Sequence, residues 1–340
     1  NHNNRLDQKG QPIHFMFIEF FSSFLQFDYS LDNAQVRVVG TSGMALVFVV
    51  LSCCGAWFVR GSTAVPAALW SAAASTAFAM TILQQATVEL DVATMGIYRV
   101  VFAALSVCPV MSLLGAKRPQ YGVWQFIVGS LAAVLALPAV SAVLIHPGAL
   151  PNLHILGRCF LPVLVIVGWM NFVGTRRAVA ATLIAAGHLG LIWPLLPGVE
   201  FEAALPQTTR DLMSISSITA GGFIAIVQAV QASFKRPRVS VSGVQMLPGN
   251  EVFVSRMNTC FFALRETLGA AWTLRLAERF DLLATRRGWP VRLTFQGMRI
   301  QEEPEDSRWQ ADTGRAMEAL MKRFVSSSWL RRHGWERFSV

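Results

Sequence analysis

Charge is what this sequence has least of. Only 14% of its 340 residues are Asp, Glu, Lys or Arg, against about a quarter in soluble domains. That scarcity excludes a chain dissolved in water along most of its length. Acids are scarcer than bases, 20 against 29, and the net charge of +9 is carried almost wholly by Arg. Cysteine is sparse as well. Cys53, Cys54, Cys108, Cys159 and Cys260 include no CxxC pair. Four of them fall inside apolar runs, which predicts small buried hydrophobes. No GxSxG, HExxH, GxxxxGK[ST] or GxGxxG occurs, so the common hydrolase, zinc-protease and nucleotide-cradling signatures are missing. Paired acids are absent from the apolar runs, which weighs against a proton pump or cation-coupled carrier. No cofactor and no metal site is predicted.

What is present is apolar sequence, 53% of the residues, with a mean hydropathy of +0.45. Seven runs are candidates to cross a bilayer: Thr41–Val59, Ala64–Leu83, Ala93–Gly115, Tyr121–Ile145, Cys159–Gly174, Ala178–Leu196 and Leu212–Phe234. About 20 residues at about 1.5 Å each cross a core of about 30 Å. The fifth run is short, and the seventh is only mildly apolar. Alternate loops carry opposite character. One set holds Arg60, Lys117 with Arg118, Arg176 with Arg177, and Lys235, Arg236 and Arg238. The other holds Arg37, Glu89 with Asp91, Arg158, and Glu200, Glu202, Arg210 and Asp211. This positive-inside pattern sets the N-terminus outside and the C-terminus inside. The expected home is a bacterial inner membrane or an organelle (mitochondrial) inner membrane, with the C-terminal part on the cytoplasmic or matrix side. The basic balance suits anionic lipid head groups, and nucleic acid is not an expected partner.

Three parts follow. Residues 1–40 form an N-terminal segment. Within it, HFMFIEFFSSFLQF puts Phe17, Phe20 and Phe24 on one helical face and Glu19, Ser22, Ser23 and Gln26 on the other, which predicts an amphipathic helix at the outer interface. The chain starts at Asn1, which predicts a removed targeting segment or an incomplete N-terminus. Residues 41–234 form the transmembrane domain, and residues 235–340 a small inner α/β domain. In that last part, PRVSVSGV (Pro237–Val244), EVFVSR (Glu251–Arg256) and PVRLTF (Pro290–Phe295) read as strands. Asn258–Arg287 reads as one helix ended by Gly288, and a further helix follows Pro304. Glu302, Glu303, Glu305 and Asp306 read as a solvated helix start. The tail SWLRRHGWERF, from Ser328, suits a membrane-surface or partner contact.

Few residues stand out as chemical candidates. Arg99 inside the third run is costly in hydrocarbon, so it should face a cavity, an acid or the head groups beside Tyr98. His188, deep in the sixth run, predicts a hydrogen bond to a neighbouring helix; with no second His at matching depth, a bis-His haem site is not expected. His146 and His154 flank an outer loop without other ligands at metal spacing.

LDVATMGIYRVVFAALSV (Leu90–Val107), the HPGALP loop (His146–Pro151), GTRRAVAATL (Gly174–Leu183) and LRLAERFDLLATRRGWPVRL (Leu274–Leu293) together resemble the membrane domain shared by the vitamin K-dependent carboxylase and its bacterial relatives, the HTTM family. The resemblance covers about a quarter of the chain and implies a related helical membrane fold. Two runs precede the Arg-bearing one, another separates it from HPGALP, and no apolar run holds a Lys to act as carboxylase base, so that activity is not implied. The reading is thus a polytopic α-helical membrane protein with about seven spans. Its most expected role is a non-catalytic subunit of a larger membrane complex, because AAASTA (Ala72–Ala77) and Gly221–Gly222 suit close helix packing. Its partners would be membrane lipids and other membrane subunits. An enzyme or lipid/quinone-binding protein built on Arg99, Tyr98 and His188 is the alternative. A transporter, expected to break its helices at prolines around midplane polar groups, is the third.

Overall fold

The computed structural model describes residues 34–87, 91–115, 117, 120–196, 206–234, 249–301 and 308–335. The predicted interfacial helix with Phe17, Phe20 and Phe24, the strand at 237–244, the acid cluster at 302–306 and the cations Arg118, Lys235, Arg236 and Arg238 lie outside the described residues.

The apolar runs become helices α1 (Ala34–Phe58), α2 (Val65–Thr87), α3 (Val92–Ser106), α4 (Cys108–Leu114), α5 (Tyr121–Leu144), α6 (Ile155–Met170), α7 (Ala178–Ile192) with a closing 3₁₀ turn, and α8 (Gln207–Phe234). Six apolar segments among the described residues are long enough to cross a membrane, with α3 and α4 counted together as one. That is the make-up of a multi-pass membrane protein. The run Leu212–Phe234, the weakest in the sequence, belongs to the longest helix. The third run is not one helix. It breaks at Val107, and Pro109 enters the first turn of α4, because proline has no N–H to continue the ladder. At 16 residues α6 is the short member, as its run predicted. It still joins both ends of the bundle. Near its start Arg158 donates to Leu195 O, and its C-cap Asn171 contacts the C-terminal region.

Large apolar side chains stand exposed along α1 and α5, including Val50, Phe126, Val134 and Leu144. In water such faces would be a liability, but in lipid they are the natural surface. Cysteine behaves accordingly. Cys108 and Cys260 are buried as expected, whereas Cys53, Cys54 and Cys159 are exposed on the helix exteriors. That corrects the expectation of burial for those three: an apolar run has a lipid face as well as a packed one. Inside the bundle, α7 and α8 approach through glycine. A Cβ at Gly187 would meet Ser214 O and one at Gly221 would meet Ala180 O. The Ser217 hydroxyl donates to Leu183 O across the same seam at 2.9 Å.

The C-terminal region comprises α9 (Gly249–Leu268), α10 (Ala270–Arg287), the hairpin β1 (Val291–Thr294) and β2 (Gly297–Ile300), α11 (Arg308–Met321) and α12 (Ser327–Arg332). Val291 pairs with Ile300 and Thr294 with Gly297. Asn258 clips the hairpin to α9, accepting from Met298 N at 2.6 Å. The predicted strand Glu251–Arg256 is helix instead. Phe253, Met257, Cys260, Phe261, Leu264 and Leu268 all lie buried on one face of α9, and that 3.6-residue period outweighs a short local alternation. The single helix expected over Asn258–Arg287 is two helices, parted at Gly269 with φ +80°. Gly288 ends α10 as predicted, and the structure shows it in the left-handed conformation. The tail is not a surface contact where it is described. Trp329, Leu330 and Trp335 are buried in the core of this region.

The region packs on one end of the bundle, against all three described loops that the charge pattern assigned to one side. Thr63 N donates to Phe324 O, Ser326 N to Gly61 O, and Ser62 pairs with Val325. Trp272 Nε1 donates to Leu113 O at 2.9 Å, and Arg176 N donates to Glu266 at 3.1 Å.

Candidate functional site

The sequence candidates do not assemble into one site. Arg99 and Tyr98 lie toward the far end of the bundle. The Arg99 guanidinium donates to Asp211 Oδ2 at 2.8 Å, with both side chains largely buried. Of the surroundings expected for Arg99, the structure supplies an acid, and it is Asp211, which the sequence grouped with the loop charges. Asp211 directly precedes the apolar run that opens at Leu212, and α8 begins four residues earlier at Gln207, which brings the carboxylate inside the bundle. An ion pair in low dielectric is justified only when both charges are matched. It anchors α3 to α8 and leaves little room beside it. Tyr98 is half-buried and takes no part in this pair.

His188 sits seven residues below Arg99's level, judged by its partner Ser106 on α3, about 10 Å along the helix axis. His188 Nε2 lies 2.7 Å from Ser106 Oγ, which is the hydrogen bond to a neighbouring helix that the sequence suggested. Ser106 Oγ is also within hydrogen-bond reach of Ala103 O at 2.8 Å, and the imidazole tautomer decides which partner donates at the His188 contact. Nδ1 has no hydrogen-bond partner among the described residues.

His188 also closes one end of a cavity of about 300 Å³. The cavity is ringed by α1, α2, α4, α6, α7 and α8, in the half of the bundle nearest the C-terminal region. Along α7 it is lined by Arg177, Ala181, Ile184, Ala185 and His188. The steps of four, three, one and three residues define one helical face. From Arg177 to His188 this face extends for about 16 Å. Its walls are overwhelmingly apolar, among them Phe48, Val165 and Ile226. Gly168 and Gly222 thin the walls: a Cβ at Gly168 would press on Val110, and one at Gly222 would press on Phe48.

At the opposite end stands Arg177, the N-cap of α7. Its backbone N–H donates to Thr175 Oγ1 at 3.1 Å. Its guanidinium has no hydrogen bond and no ion pair among the described residues. Burial disfavours its charged form, and the nearby Glu266 carboxylate partly offsets this. Glu266 itself is already engaged by Arg265 at 3.1 Å and by Arg176 N–H. Asn171, at the same end, is fully engaged with the C-terminal region: Nδ2 donates to Leu268 O at 3.0 Å, Oδ1 accepts from Ala271 N at 2.9 Å, and its carbonyl accepts from Ala270 N at 2.6 Å. The sequence counted Arg176 and Arg177 alike as loop charges. Only Arg176 is exposed; Arg177 turns inward. The signal that could have found it is its phase, since Arg177 and His188 share one face of α7. Among the described residues no cluster of His, Cys, Asp or Glu is placed to hold a metal. No family model, curated protein or solved structure matches this chain.

Proposed function

We propose that this multi-pass membrane protein holds one apolar chain of an amphiphilic ligand in the cavity along α7. The observation that carries the reading is the form of that space. It is an apolar channel about three helical turns long with a polar group at each end, Arg177 and His188. Its volume lies at the small end of ligand pockets, which run from roughly 300 to 1,000 Å³. That favours a single chain over a bulky two-chain lipid. From the charge bias of the loops we assign the Arg177 end, with the C-terminal region, to the cytoplasmic or matrix side.

The accessory-subunit reading drew on small-residue stretches. Part of each is occupied within the chain: Ala74 and Ser75 are buried, and Gly221 and Gly222 pack on α7 and on Phe48, whereas Ala73 and Thr76 face outward.

The test is purification in mild detergent followed by native mass measurement and organic extraction. The wild-type chain is expected to carry a bound amphiphile, and Ala225→Phe, which fills the cavity, is expected to lose it. A chain free of bound amphiphile, or a variant that retains it as the wild type does, would sink the reading. A large hetero-assembly without bound lipid would restore the subunit reading.

A further inference from the structure

We infer that the head group of this ligand is anionic, a carboxylate or a phosphate, and that it sits against Arg177 with its chain running toward His188. The inference rests on the cavity being an amphiphile site. Three features at the cavity's ends fix the polarity. The Arg177 guanidinium lines the space without a hydrogen-bond or ion-pair partner among the described residues. A half-buried guanidinium with no hydrogen-bond partner is unfavourable, and its planar fork of donors fits a carboxylate or a phosphate. Arg177 also caps α7, so the positive end of a 15-residue helix adds to the same locus. Glu266 dilutes this potential but does not cancel it, because its oxygens are taken by Arg265 and Arg176 N–H. The other end is unsuited to an anion. His188 Nε2 is engaged with Ser106 Oγ at 2.7 Å, and a neutral imidazole brings no positive charge to match a carboxylate or a phosphate.

The experiment uses the whole chain in phosphatidylcholine nanodiscs at a pH where a fatty acid is ionised. A pyrene-labelled long-chain fatty acid and its methyl ester serve as probes, each referenced to protein-free nanodiscs. The acid is expected to bind about tenfold more tightly than the ester, the change from losing one charged contact. Arg177→Gln should erase that preference, and a thermal midpoint in detergent close to that of the wild type shows that the variant is folded. Arg177→Lys should keep most of the preference. Ala225→Phe should lose both probes. Equal binding of acid and ester by the wild type, or a preference that survives in Arg177→Gln, overturns the head-group assignment while the cavity reading stands. Wild-type binding of both probes by Ala225→Phe overturns the cavity reading itself. Competition identifies the source of the anion. Displacement of the acid by lysophosphatidic acid extends the site to phosphate heads, and failure to displace confines it to carboxylates. Displacement by inorganic phosphate alone would overturn the amphiphile orientation.

Discussion

Arg99 and Asp211 are individually expensive and jointly tolerable. Removing one partner leaves a charge buried without its match, a loss of roughly 3–5 kcal/mol in soluble cores. Asp211→Asn should therefore lower the thermal midpoint in detergent markedly, and Arg99→Gln should do the same. The double variant Arg99→Gln with Asp211→Asn should recover much of the loss, because it removes both charges together. A double variant as unstable as the sum of the singles would show that the pair is not coupled. Only half of this contact was legible in the sequence. An Arg in an apolar run announces that it needs a partner. The partner was misplaced because Asp211 falls one residue outside the run that starts at Leu212, and an apolar run underestimates a helix that begins with Gln, Thr and Arg. Arg177 was misread for a related reason. The side toward which a helix-end cation points depends on how its neighbours rotate the helix, and a charge count holds no record of that.

At the scale of elements, the joint between α9 and α10 holds the C-terminal region to the bundle. Gly269 takes a positive φ, and a Cβ there would collide with Asn171. The gap admits the Asn171 side chain, which satisfies backbone groups of both helices. Asn171→Ala leaves Leu268 O and Ala271 N without these partners, about 1–3 kcal/mol for each buried group. Hydrogen exchange across 249–335 should quicken in Asn171→Ala and in Gly269→Ala, while exchange in α1 and α8 stays as it was. Equal acceleration everywhere would mean that the joint is not local. The sequence showed helical periodicity on both sides of Gly269 but not the break. An isolated glycine in a helical pattern is tolerated often enough to be read through, and here the deciding contact comes from Asn171, far away along the chain. The α9 misreading has the same origin. Val252, Phe253 and Val254 look like a strand only while the buried face that continues to Leu268 is ignored.

For the molecule as a whole, the pattern of apolar runs was the part most readily legible, because burial in lipid writes itself into composition. The loops at 60, 117 and 176, which the charge pattern grouped together, all meet the C-terminal region. A cysteine scan checks what this implies for sidedness. In a background with Cys53, Cys54 and Cys159 replaced by Ala, Leu150→Cys and Arg287→Cys should be labelled by a membrane-impermeant maleimide from opposite faces. Labelling of both from one face would refute the arrangement. Cys260 can stay in place. Burial pushes its thiol up to about 12, so almost no reactive thiolate is present at neutral pH. The pairing of Ser62 with Val325 carries a different consequence, one of timing. The turn between α1 and α2 emerges early in synthesis, yet the strand-like segment that satisfies Gly61 O and Thr63 N is made only after every apolar segment. Until then those groups must rest on water or on the insertion machinery. A ribosome stalled before Phe324 would leave an inserted bundle whose first turn is still open to proteases, and release of the stall would close it.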